Sequence, residues 1–233
     1  MTWNPSPLNP SQGQAPARAA TQTAYLTQAF GWMFVGLLLT AGVAALVQTN
    51  KSLLNFAGEN FLILFLAQLA VVWVISLGIG RIGATAALGL FFVYAASLGL
   101  TVGLIVSFYT GTSVATAFLS ASAMFGGAAL YGATTKRSLV GLGGFLSMAV
   151  FGLVVAILVN LFLASGTVGL VISIIGVVIF TALTAYNVQR IQSGDLVAAY
   201  GSVEKASVIG ALSLYLDFIN LFLFLLRIFG SRR

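Results

Sequence analysis

Seven long apolar stretches, near residues 27–48, 61–80, 84–108, 112–132, 139–163, 168–189 and 207–229, constrain this chain more than any other feature. Each is long enough to cross a hydrocarbon core of about 30 Å at about 1.5 Å per residue. The connections are very short except 49–60 and 190–206, so the pattern predicts one compact all-α membrane bundle without room for a separate soluble domain. Composition agrees: 60% of residues are hydrophobic and 6% are charged, where a soluble domain carries roughly a quarter.

The first stretch, "MTWNPSPLNPSQGQAPARAATQT", holds all four prolines and many Ser, Gln, Asn and Ala residues. It buries too little apolar surface to offset its ordering entropy. The expected organisation is a flexible tail over 1–24 followed by a single transmembrane domain over 25–233. No apolar signal core lies in the tail, so the mature protein is expected to keep it. No proline falls in a span, leaving glycine to supply close packing. "GLTVG" places Gly99 and Gly103 four apart, the spacing that lets helices approach. Gly126-Gly127 and Gly141-Gly143-Gly144 are expected to do similar work.

The net charge of +6 comes from ten dispersed Lys and Arg, mostly between apolar runs. Charge so placed serves membrane topology and excludes a nucleic-acid partner. With the N-terminus inside, Arg18, Arg81, Lys136, Arg137, Arg190 and Lys205 lie on the inner side against Lys51 outside, which predicts a cytoplasmic N-terminus. Arg232 and Arg233 then fall outside after seven crossings. A re-entrant last segment would put them inside, but no Pro or Gly breaks residues 212–228, which favours a full crossing. Absent Cys and His remove disulfides, thiolate metal sites, axial-His haem, zinc proteolysis and Ser-His chemistry. An intramembrane aspartyl protease needs two membrane carboxylates, and the spans hold one. The chain therefore reads as non-enzymatic and without a cofactor.

That carboxylate is Asp217, in "LSLYLDFINLFLFLLRIFG" (212–230), close to the bilayer midplane by helical rise. Ionised against lipid it costs at least about 2.5–3.5 kcal/mol, so it must face the bundle interior, a watery cavity or a cation, or carry a proton. Ser213, Asp217 and Asn220 fall at i−4, i and i+3 and form a polar stripe that Phe224 and Arg227 continue. A second polar patch, "TALTAYNVQRIQ", places Thr184 and Asn187 on one face ahead of Arg190. By itself it reads as a polar helix end, as Arg81 reads as a topological anchor. Gln68 and Asn160 are expected to make interhelical hydrogen bonds.

Several of these segments are similar to the Bax inhibitor family, in its bacterial branch. The likeness runs from "YLTQAFGWMFVGLLLTAGVAALV" through "GIGRIGATAALGLFFVYAASLGLT", "SAMFGGAALYGATTKRSL" and "FTALTAYNVQRIQ" to "IGALSLYLDFINLFLFLLRIFG", in order and across nearly the whole chain beyond the tail. The resemblance implies seven helices with the last one central and six wrapped around it. It also implies a passive, pH-sensitive Ca²⁺ leak, with no cofactor and Ca²⁺ as the permeant ion. In the family, an aspartate pair on the last two helices shares a proton, and an arginine on the second helix serves as latch. Carried over, these positions are Asp217, Asn187 in place of the aspartate of "AYD", and Arg81 in "GIGRIGA".

The Asn187 replacement changes the expected chemistry. Two adjacent carboxylates repel and titrate as a pair, whereas an amide donates to Asp217 without adding charge. A weaker or acid-shifted pH response is expected, and the Arg81 latch becomes at most a neutral hydrogen bond. Ca²⁺ prefers several oxygen ligands and more negative charge, so Asp217 would hold it only weakly and transiently. Spacing alone does not pair Asn187 with Asp217, because their depths differ by roughly 12 Å when counted from the nominal inner ends. A longer sixth helix or a later start to the seventh would close that gap.

The competing reading is a regulatory interaction protein in the bacterial cytoplasmic membrane. It would act on a membrane-bound quality-control protease or in stress or cell-death control, with the tail as its handle. A retinal protein needs a lysine within the last helix, and Lys205 precedes the predicted span.

Overall fold

A computed structural model describes the backbone of residues 10–231 and the side chains from residue 24 to 231. The described residues form nine helices and no strand: α1 (Pro10–Thr49), α2 (Lys51–Glu59), α3 (Phe61–Gly78), α4 (Ala84–Ser107), α5 (Gly111–Thr134), α6 (Leu142–Leu163), α7 (Gly166–Gln192), α8 (Asp195–Tyr200) and α9 (Val203–Phe229). Seven of them are long and apolar enough to span a membrane, with Ala24–Thr49 as the spanning part of α1. The short helices α2 and α8 occupy the two longer connections. The tail expected over 1–24 falls largely outside the described residues. Residues 1–9 are not described, and for 10–23 only the helical backbone of α1 is.

Polar residues in the connections set where the spans begin. The Asn50 side chain accepts from the Ser52 and Leu53 amides at 2.9 and 3.2 Å. Thr110, Ser165 and Ser202 likewise accept at the first turns of α5, α7 and α9. Each cap satisfies backbone donors that a starting helix leaves unpaired. Gly194 and Gly201, at φ 80° and 71°, take the left-handed backbone that turns the chain into and out of α8.

The arrangement is inside-out by the standard of water-soluble proteins. Phe162, Leu77, Met148 and Phe151 are among the most exposed side chains, as a bilayer permits. Burial instead singles out α9: 78% of its span window is enclosed, against 11% for α3 and 17% for α6. The last helix is therefore central. It packs directly on α1, α4, α5 and α7, while α3 packs chiefly on α4 and α6 on α7. The six helices expected to wrap around it thus form two tiers.

Contacts at both ends establish that α9 runs the full height of the bundle. Near its start, Lys205 Nζ donates to the Gly80 carbonyl in the α3–α4 turn at 3.3 Å. Beyond its end, the Thr110 amide donates to the Ser231 carbonyl and the Ser231 amide to Ser113 Oγ, both at the α4–α5 turn. Since α4 joins those two turns, α9 crosses the same thickness as α4 and does not re-enter.

Small residues allow these approaches only at certain positions. A Cβ on Gly99 would lie 2.6 Å from Val43 Cβ, and one on Gly103 2.7 Å from Val47 Cβ, so both glycines seat α4 on α1. The other expected glycine clusters behave differently. Gly143 meets Tyr186, but Gly126, Gly127, Gly141 and Gly144 face open space. Helical spacing of small residues does not reveal which face of a helix meets a neighbour.

Candidate functional site

Asp217 is enclosed, with 3% of its surface exposed, and Asn187 Nδ2 donates to its Oδ2 at 2.7 Å. The two residues that spacing left about two turns apart are therefore bonded. Neither suggested adjustment alone explains it. Helix α7 does continue past Arg190 to Gln192, but α9 starts earlier than expected, at Val203.

The register of the antiparallel α7–α9 pair supplies the reason. Gly210 faces Ile191, Gly176 faces Phe224 and Gly169 faces Arg227. Continued in that register, Val203 lies about five residues, or ~7 Å, beyond Gln192. The short α8, anchored by the buried Leu196, fills the step. The inner ends of the two helices are not level, so counting from them misplaces the pair.

The same contacts explain the stripe on α9. Asp217, Phe224 and Arg227 lie on the face turned to α7, where an amide and two glycines receive them. The other stripe members contribute less. Asn220 is part-buried and its Nδ2 donates to the Leu216 carbonyl of its own helix at 2.8 Å. Ser213 is part-buried one turn before Asp217. On α7, Thr184 is fully buried and its hydroxyl donates to the Phe180 carbonyl at 2.8 Å. Asn220 and Thr184 thus spend these hydrogen bonds within their own helices.

Arg81 is not brought to the site. It is exposed in the α3–α4 turn and makes no side-chain hydrogen bond or ion pair among the described residues. The arginine latch is not formed in this arrangement. The other in-membrane amides divide. Gln68 Nε2 donates to Thr101 Oγ1 at 2.9 Å and to the Ser97 carbonyl at 3.0 Å, joining α3 to α4. Asn160 Oδ1 is buried without a hydrogen-bond partner among the described residues, contrary to the expected interhelical bond.

A polar junction that sequence reasoning missed lies two residues after Ser213 and two before Asp217 on α9. The Tyr215 and Thr40 hydroxyls are 2.5 Å apart, and Thr40 Oγ1 also lies 2.9 Å from the Ala95 carbonyl. One chain of hydrogen bonds thus ties α9, α1 and α4 together. Phe91 and Tyr94 stand edge-on to the Tyr215 ring, with centroids 5.4 and 5.9 Å away. The bulk of Tyr215 and the small Gly36 beside it are the only traces this junction leaves in the sequence.

Among the described residues, no group of three or more acidic side chains is gathered where a metal ion could be held. Asp217 offers one carboxylate, and its Oδ2 is occupied by the Asn187 amide. That donor set suits brief contact with a passing cation better than stable coordination.

Seven apolar spans, the last of them central and burying one carboxylate against one amide of its neighbour, define a multi-pass α-helical membrane protein with an intramembrane polar pair. The chain belongs to the Bax inhibitor family: the family described as "Inhibitor of apoptosis-promoting Bax1" matches residues 22–233. It is 46% identical over 222 residues to "Inner membrane protein YbhL" of Escherichia coli (strain K12), covering 93% of this chain and 94% of the relative. An uncharacterized protein of Deinococcus radiodurans is 45% identical over 209 residues, covering 89% and 90%. An uncharacterized membrane protein of Streptococcus pyogenes is 41% identical over 202 residues, covering 85% and 87%.

Proposed function

We propose that this protein is a passive cation leak pathway, with Ca²⁺ as the permeant ion and the Asn187–Asp217 hydrogen bond as its closure. The observation that carries this reading is the 2.7 Å bond itself, between enclosed residues of the two helices at the heart of the bundle. A carboxylate deep in a span is costly and is a functional candidate by default. Here it can compensate a cation for part of its lost hydration. In the arrangement described, Asp217 is sealed from solvent and one of its oxygens is engaged, so the pathway is shut. Opening requires α9 to give up the Asn187 amide.

Asn187 also bears on pH sensing. A single carboxylate beside an amide lacks the like-charge repulsion of an aspartate pair, so the pH response is weaker than that of a dyad. The site of action is a bacterial cytoplasmic membrane, in keeping with the inner-membrane name of the Escherichia coli relative. Arg81, Lys136, Arg137, Arg190 and Lys205 gather at the end carrying the α3–α4, α5–α6 and α7–α9 connections, a bias that supports a cytoplasmic N-terminus. Proteoliposomes loaded with a Ca²⁺-sensitive dye test the proposal. Asp217→Asn should reduce Ca²⁺ entry severalfold, and unchanged entry would remove Asp217 from the path.

A further inference from the structure

At the basic end of the bundle, the α5–α6 connection and the last turns of α7 enclose a cleft of about 290 Å³. Lys136, Arg137 and Arg190 line it together with Ser138, Ser193 and Asp195. Positive-inside topology would be served by cations anywhere at this end. Their convergence on one concavity needs a further reason.

Two observations supply it. First, the three cations are unspent: among the described residues none makes a side-chain hydrogen bond or ion pair, even with Asp195 in the same cleft. Secondly, the connection that carries two of them is braced. Gln189 Oε1 accepts from the Leu139 amide at 2.6 Å, and its Nε2 donates to the Arg137 carbonyl at 2.9 Å. Leu139 is buried against Ala128 and Ala185, which secures the same loop from below. The backbone bearing Lys136 and Arg137 is thus held in place before any ligand arrives, which reduces the ordering cost of binding.

We propose that this cleft binds a phosphate group. Two guanidinium forks and an ammonium suit phosphate oxygens in geometry and charge, and Ser138, whose Oγ accepts from the Val140 amide, adds a hydroxyl donor. The group has two chemical sources, an anionic lipid headgroup or free phosphate. Val140, which lines the cleft, and Phe145 on α6 are 61% and 69% exposed. They offer an apolar track leading from the cleft onto the lipid face. Basic pockets between spans at the cytoplasmic surface have the character needed to hold anionic headgroups. The inference does not depend on the leak reading, because its readout is bound mass rather than flux.

The test is native mass spectrometry of the full chain released from neutral detergent micelles, titrated with phosphatidylglycerol or with inorganic phosphate. One retained phosphatidylglycerol is expected, with at least tenfold weaker retention in K136Q/R137Q/R190Q. Asp195→Asn, which removes the carboxylate of the cleft, should tighten retention severalfold. It decides the matter if the triple variant fails to fold. Displacement of the lipid by inorganic phosphate would show that the phosphate alone is read, while lipid retained against it would assign the site to a headgroup with its chains. Equal retention by the triple variant, no tightening in Asp195→Asn, or no retention of either ligand by the parent would overturn the proposal.

Discussion

The Asn187–Asp217 bond can be weighed by a double-mutant cycle of Asn187→Ala, Asp217→Ala and the pair. The structure sets the expected size. The donor–acceptor distance is 2.7 Å, both residues are enclosed, and Asp217 makes no other side-chain hydrogen bond among the described residues. Interhelical hydrogen bonds in membranes average about 0.6 kcal/mol and reach about 1.7. Bonds to charged groups run to about 1.5–3 kcal/mol. A short, enclosed amide–carboxyl bond without a competing partner belongs at the top of the membrane range, so a coupling of about 1.5 kcal/mol is expected. Each single variant should also cost more than the coupling suggests. Asn187→Ala strands an enclosed carboxyl, at about 1–3 kcal/mol. Reversible unfolding in mixed micelles measures all four proteins. A coupling of about 0.6 kcal/mol or less would make this an ordinary interhelical bond and refute the argument that it is the closure.

Two further predictions address packing and pH. Gly99→Ala should destabilise by about 1–3 kcal/mol through overpacking, because its Cβ would meet Val43 Cβ and the Thr40 carbonyl at 2.6 and 2.9 Å. Gly126→Ala, with nothing within 4 Å, should cost nothing and gain up to about 1 kcal/mol of helix propensity; equal unfolding midpoints for the two variants would contradict this assignment of packing faces. Asn187→Asp rebuilds a carboxylate pair that cannot readily ionise twice. Its Ca²⁺ flux should gain a pH-dependent step stronger than the parent's, and a flat profile would break the link between the pair and proton sensing.

Much of this structure was legible because hydropathy and span length are direct consequences of the bilayer. All seven spans were placed within a few residues, and helical rise put Asp217 near the middle of the last one, as it lies in α9. The stripe of Ser213, Asp217, Asn220, Phe224 and Arg227 pointed to an inward face of α9 but not to its neighbour, and only Asp217, Phe224 and Arg227 meet α7. Pair distances were not legible, because the inner ends of α7 and α9 lie at different depths and α8 fills the step. Nor could spacing separate Gly99, which meets α1, from Gly126, which faces open space. Tyr215 and Gln189 escaped notice for a related reason. Their partners, Thr40, Ala95, Leu139 and Arg137, are distant in the chain, and single residues carry no periodic signal.

The central claim is that releasing the Asn187 amide opens a path through Asp217. Its most direct test is the initial Ca²⁺ influx into dye-loaded proteoliposomes for Asn187→Ala, alone and combined with Asp217→Asn. Removing a closure worth about 1–1.5 kcal/mol should raise influx roughly five- to tenfold. In the Asp217→Asn background the same substitution should produce no rise. Influx that is unchanged or reduced in Asn187→Ala, or that rises equally without Asp217, would contradict the account.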